Sequence, residues 1–315
     1  MIQQEDHREY LAKLLVGQDS PIFPTIWQGT AQQRKQIQRL RSPCSEDAVT
    51  WNFFECLRKT GNLGAFFKSE SLVPKRSSLI MEDAQQLKVF FWGRDPDTGE
   101  LWDEFDEMRR KIEKGPTFTE PDCIILTNTA LIVIESKLTA DWGTCSRMIR
   151  LNDAKTKCYC PTPAKCGYWS EQRTSTRIYG GEYIPWLFDT TRFRFENKDR
   201  LNLRRRESKS DCFRFYQLMR NYIIGHELTA ALDGRTFYLV CIVNGKMLES
   251  NDLCPEPPAL NTLCRKFEEF CSKLRDSNPM RLTTWQAIGD TVSVTSQKSA
   301  PIERLLTYID SHPLL

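Results

Sequence analysis

The sequence predicts an α/β protein in which helices flank a small sheet, and three observations carry that expectation. Two apolar runs, Cys123 to Leu126 and Ala130 to Ile134, are separated by only a few polar residues, which is a strand–turn–strand signal. A third buried-looking strand runs from Thr236 to Val243 and turns at Asn244-Gly245. Around these runs lie segments with helical apolar spacing and recognisable ends.

In chain order, the first forty residues read as helical, with a break around Ser20 to Pro24. A helix is expected from Glu46 to about Lys59, with Ser45 as N-cap and Gly61 just past its end. Asp95-Pro96-Asp97-Thr98-Gly99 reads as a turn. The apolar hairpin follows, and then a long helix from about Asp211 to Leu232 that stops at Asp233-Gly234. Pro255-Glu256-Pro257-Pro258 reads as an extended connection, Leu260 to Leu274 as an amphipathic helix, and Ile302 to Ile309 as a short closing one. The expected division is a helical extension over 1–44, a main domain over 45–290 with an insertion at about 140–210, and a tail with a short helix over 291–315.

Composition narrows the function classes. With 315 residues, 40% hydrophobic and 27% charged, the chain has the make-up of a globular protein, which excludes disorder and fibrous architectures as its main description. Its longest apolar stretches are far too short to cross a bilayer, so no membrane partner is expected. The opening Gln3, Gln4, Glu5, Asp6 and His7 lack the basic-then-apolar pattern of an export signal, and a cytoplasmic location is expected. Only 3 histidines are present, poor material for a histidine-metal site or a Ser-His-Asp hydrolase, and His226 reads as a packed or surface residue. The absence of a Gly-rich phosphate loop argues against ATP-driven chemistry.

Charge is unevenly spread. Nine acidic residues between Glu82 and Glu107 face only Lys88 and Arg94. From Arg192 to Lys209 the balance reverses, with Arg192, Arg194, Arg200, Arg204, Arg205, Arg206 and Lys209 among eight basic residues, and Phe193 and Phe195 beside them. Such a run suits a nucleic-acid backbone, although a charge run alone is more often a solvated face.

The hairpin holds the chemistry. It opens with Glu120-Pro121-Asp122 and closes with Ile134-Glu135-Ser136-Lys137. With Asn128 and Thr129 at the tip, paired positions sum to 257, and Asp122 lies across from Glu135. Alternation puts Glu135 and Lys137 on one face. Two carboxylates so close raise each other's pKa, and a hard divalent cation resolves the conflict by taking carboxylate oxygens and waters. Lys137 beside it would orient or deprotonate a water, or neutralise charge on a phosphate. Glu46 shares a helical stripe with Val49, Phe53 and Leu57 and is expected to look inward, although it also complements the helix dipole. Gln217, in line with Phe213 and Ile224, would reach the site or a DNA backbone, or pack as a structural glutamine.

Together, Glu46, Pro121-Asp122, Glu135-Ser136-Lys137 and Tyr216-Gln217 resemble the PD-(D/E)xK nuclease superfamily, over roughly Ser45 to Val243. The resemblance implies a restriction-endonuclease-like core with a central mixed β-sheet, and Mg²⁺-dependent hydrolysis of phosphodiesters, with Mn²⁺ as a substitute. It implies that Asp122, Glu135 and Glu46 bind the metal, that Lys137 activates the water and that Gln217 supports the site. DNA is the expected substrate, in restriction, phage defence or repair, with a homodimer or protein partner compatible. What departs from a minimal member is the insertion between Lys137 and the long helix. Its Cys145, Cys158, Cys160 and Cys166 fall within 22 residues but lack a CxxC pair, so reduced thiols compete with a structural Zn²⁺ or iron–sulfur cluster of the kind some members carry. A non-catalytic nucleic-acid-binding or assembly protein on the same fold, and a zinc-stabilised interaction module, are the rival readings.

Overall fold

The computed structural model describes residues 14–29, 31–40, 45–72, 77–78, 87–112, 120–138, 142, 148–151, 155–158, 187–189, 191–193, 201–202, 211–232, 234–245 and 259–311. Its helices are α1 (Ile22–Gln28), α2 (Ala31–Leu40), α3 (Glu46–Lys59), α4 (Leu63–Phe66), α5 (Asp103–Ile112), α6 (Asp211–Arg214), α7 (Tyr216–Ala231), α8 (Ala259–Cys271), α9 (Trp285–Thr295) and α10 (Ala300–Ser311). The strands are β1 (Glu70–Ser71), β2 (Ser77–Ser78), β3 (Lys88–Phe91), β4 (Cys123–Leu126), β5 (Ala130–Lys137), β6 (Met148–Leu151), β7 (Lys155–Cys158), β8 (Leu201–Asn202), β9 (Thr236–Val243) and β10 (Met280–Thr284).

A five-stranded mixed sheet organises the chain, in the order β10-β9-β5-β4-β3. Strands β3, β4 and β5 form an antiparallel meander, and β9 and β10 add in parallel beyond β5. Cys123 pairs with Ile134 and Leu126 with Leu131, so the register sums to 257 and, carried one step further, sets Asp122 opposite Glu135. Strand β5 is buried at all 8 of its residues, as a central strand covered on both faces must be.

Alternation along the strands divides the core in two. On one face Ile132, Ile134, Val240 and Ile242 pack with Trp51, Phe53 and Phe54 of α3 and with Trp285, Ile288, Ile302 and Leu305. Ile22, Phe23, Ile26, Ile37 and Leu40 join the same cluster, so α1 and α2 help α9 and α10 to cover this face. On the other face Leu131, Val133, Leu239 and Cys241 meet Phe105 of α5, Tyr222 and Ile223 of α7, and Phe267 and Phe270 of α8.

Helix α3 begins where its chemistry dictates: the Ser45 hydroxyl accepts from Ala48 N at 3.1 Å, Glu46 and Asp47 occupy the first turn, and Arg58 and Lys59 the last. Of the break expected at Ser20 to Pro24, Ser20 and Pro21 lie in the non-helical stretch 14–21. Helix α1 starts at Ile22 and runs through Pro24, because a proline in the first turn forfeits only an N–H that has no helical acceptor. The long helix is interrupted once, at Phe215, between α6 and α7. Strands β3 and β10 and helices α5 and α9 were not expected from the sequence. Of the insertion at about 140–210, the antiparallel β6-β7-β8 sheet is described. Among the described residues no helix is long and apolar enough to cross a membrane.

Candidate active site

Where β5 ends, four elements bring polar side chains together. Residues 131, 133, 135 and 137 alternate onto the face covered by α7, which places Glu135 and Lys137 beneath that helix. Both are 2% exposed. The Lys137 ammonium donates to Glu135 Oε1 at 2.6 Å and to Glu46 Oε2 at 3.3 Å. Glu46, at the first turn of α3, also accepts from Leu138 N through Oε1 at 3.0 Å and thereby clasps the strand end. Asp122 sits across the hairpin, and its Oδ2 accepts from Ser136 N at 2.6 Å. Ser136 points to the opposite face, where its hydroxyl lies 2.7 Å from that of Thr50 on α3.

The second oxygen of Glu135 is also bound. Asn221 of α7, itself 2% exposed, donates through Nδ2 to Glu135 Oε2 at 2.7 Å. Gln217, one turn earlier, is half-buried, and its backbone N–H donates to Trp142 O at 3.1 Å. The amide that α7 delivers to the acids is therefore Asn221. The two residues are four apart and share a helix face, so the spacing that singled out Gln217 contained this alternative.

Asp47 is a further acid that the sequence reading passed over. It accepts from Trp92 Nε1 through Oδ1 at 3.0 Å, and burial, against that hydrogen bond and reinforced by Glu46, pushes its carboxyl up to about 6. Burial, reinforced by the charge of Glu135, likewise holds Asp122 well above the usual carboxylate range. Lys137 moves the other way from a merely buried amine. Burial opposes its charge, but Glu135, Glu46 and Asp122 outweigh it and raise its pKa above the ordinary lysine value. As placed, Lys137 donates to both Glu135 and Glu46.

Four carboxylates and one ammonium leave this corner short of positive charge. The donors are hard oxygens of the kind Mg²⁺ takes, and Asp122, Glu135 and Glu46 suit such an ion chemically. Among the described residues, however, no group of three His, Cys, Asp or Glu side chains forms a ready-made metal cage. Lys137 donates to both Glu46 and Glu135, and Asn221 donates to the other Glu135 oxygen.

Of the expected backbone contacts, Arg192 is described. Its Nε lies 3.3 Å from Asp189 Oδ2 and its Nη1 donates to Ser272 O at 3.2 Å, just past the end of α8. Arg194, Arg200, Arg204, Arg205, Arg206 and Lys209 lie outside the described residues, as do Cys145, Cys160 and Cys166; Cys158 closes β7 and its side chain is likewise outside. His226 packs between Tyr222 and Phe237, with ring centroids at 4.7 and 5.0 Å, as a core histidine does. The chain matches no protein-family model, no curated protein and no solved structure. What stands is an α/β protein with a five-stranded mixed sheet and an acid-rich corner at the end of its central strand.

Proposed function

We propose that the chain is a Mg²⁺-dependent nuclease of the PD-(D/E)xK kind, with a restriction-endonuclease-like core, hydrolysing phosphodiester bonds of DNA. The observation that carries the reading is the convergence of Asp122, Glu135 and Glu46 around the buried ammonium of Lys137 at one end of the central strand. A fold gains nothing in stability from such a group. Breaking up a buried charged cluster is costly, but hydrophobic residues of similar volume would serve the core as well.

Mg²⁺ held by Asp122, Glu135 and Glu46 would act there as a Lewis acid on water and phosphate oxygen. The chain's own residues supply the rest. Lys137, kept protonated by its neighbours, donates to a non-bridging phosphate oxygen and offsets the charge that builds as water attacks in line. Asn221 fixes the orientation of the Glu135 carboxylate through Oε2. Asp47, near neutrality and beside Glu46, is the acid suited to take the proton released by the water. The bond between phosphorus and the leaving oxygen breaks as the new one forms.

The test is cleavage of supercoiled plasmid, linear duplex and single-stranded DNA with Mg²⁺, Mn²⁺ or EDTA, by the unaltered chain and by Asp122→Asn and Lys137→Met. Metal-dependent cutting that falls by at least ~10²-fold in both variants is expected. Cutting that survives in the variants, or none by a chain whose circular dichroism shows it folded, would overturn the reading. The second outcome would favour a non-catalytic nucleic-acid-binding protein.

A further inference from the structure

Asp122 has a second, basic flank. Two residues before it, Glu120 is half-buried, and the charges of three arginines from separate elements act on it. Arg109 of α5, 5% exposed, holds Nη1 3.8 Å from Glu120 Oε1. Arg94 follows β3, and Arg220 of α7 directly precedes Asn221; the charges of both act on Glu120. Arg109 and Arg110 share the two oxygens of Asp106, each at 2.7 Å. Four arginines therefore meet two carboxylates on this flank, while four carboxylates meet one lysine on the other.

Arg94 stands out within the group. Its Nη1 donates to Gly99 O at 3.1 Å, but among the described residues no carboxylate lies within the 4.0 Å of an ion pair. The turn that presents it is expensive. Phe91 and Arg94 exchange backbone hydrogen bonds at 2.9 and 2.8 Å across Trp92 and Gly93, whose φ angles are 52° and 78°. A Cβ at Gly93 would come within 2.3 Å of the Phe105 ring, so glycine is required there. Trp92, a bulky residue in the left-handed region, stores about 1–3 kcal/mol. This turn links the two flanks: Trp92 donates to Asp47 on the acidic side, and the charges of Arg94 and Glu120 act on each other on the basic side.

We infer that Arg94, Arg109 and Arg220 form a subsite for a backbone phosphate of DNA next to the phosphodiester that is cut. The inference rests on the nuclease reading and adds to it the register of the bound strand. Guanidinium forks match phosphate oxygens, and a strand whose scissile phosphate lies at Asp122 carries its neighbour onto an adjoining flank. The acidic corner repels that neighbour, whereas the arginines attract it.

Anisotropy of a fluorescein-labelled DNA duplex, read in EDTA over a series of NaCl concentrations, tests this independently of cutting. Arg94→Gln and Arg220→Gln are each expected to weaken binding several-fold and to reduce the slope of log K against log salt by about 1. Arg304→Gln, exposed on α10 on the other side of the sheet, is expected to change neither. Phenylglyoxal modification of the unaltered chain covers the case in which a variant does not fold: duplex DNA should protect Arg94 and Arg220. Unchanged binding in both variants, equal modification with and without DNA, or no DNA binding by the unaltered chain would overturn the subsite. Plasmid cutting measured alongside separates the two ideas. Arginine-dependent binding without metal-dependent cutting keeps the phosphate subsite and retires the nuclease reading. Cutting with unchanged binding in both variants does the reverse.

Discussion

The Glu135 carboxylate divides its two oxygens between Lys137 and Asn221, and nothing else about the residue explains why it tolerates 2% exposure. Asn221→Ala leaves Oε2 buried without its donor, which costs about 1–3 kcal/mol in a urea titration. Asn221→Asp sets a further acid against Glu135, beside Asp122; it should lose more at neutral pH and recover part of the loss under acid conditions. Equal urea midpoints for both variants and the unaltered chain would show that Asn221 does not hold Glu135 in place. The acids Glu46, Asp122 and Glu135 and the base Lys137 were legible in the sequence, because strand alternation and the hairpin register depend on near neighbours. Asn221 was not, because helical spacing offers both it and Gln217. How far α7 slides along the sheet decides between them.

That slide is set by packing between α7 and β9. Gly225 lies in the middle of α7, where a Cβ would come within 2.0 Å of the Phe237 ring on β9. Alanine is the better helix former by about 1 kcal/mol, so propensity alone would make Gly225→Ala stabilising. The close approach reverses the sign, and thermal unfolding should show a loss of about 1–3 kcal/mol. Because Asn221 is one turn away, the proposed DNA cutting should fall along with stability; a variant as stable as the parent would show that α7 is free to shift. The hairpin and β9 were readable as continuous apolar runs, which buried central strands require. Lys88–Phe91 and Met280–Thr284 carry weaker patterns, being 4 and 5 residues long with polar positions, and became strands through the partners beside them.

Taken whole, the protein carries a stability cost that depends on pH. Asp122 has a folded pKa well above its ordinary 3.8, so the native state keeps a proton there that the unfolded chain has already released. Native stability from this group is therefore fullest at low pH and falls as pH rises from 3.8 through the raised value. Asp122→Asn removes the dependence while keeping an acceptor for Ser136 N, and in EDTA at pH 7.5 it should melt above the parent. Added Mg²⁺ should raise the Tm of the parent alone, since a ligand stabilises the state that binds it. A variant that melts no higher than the parent, or that gains as much from Mg²⁺, would remove Asp122 from the proposed metal site.

Local spacing and polarity by themselves determined the hairpin, its register, the start of α3 and the pairing of Asp122 with Glu135, since each depends on residues close in the chain. The tertiary structure decided what those acids meet. Glu46 reaches Lys137 across 91 positions and Asn221 reaches Glu135 across 86, while Trp92 reaches Asp47 from a turn whose strain no local pattern announces. Contacts between distant segments are fixed by how buried faces fit one another, and that fit follows from the volumes of many side chains at once.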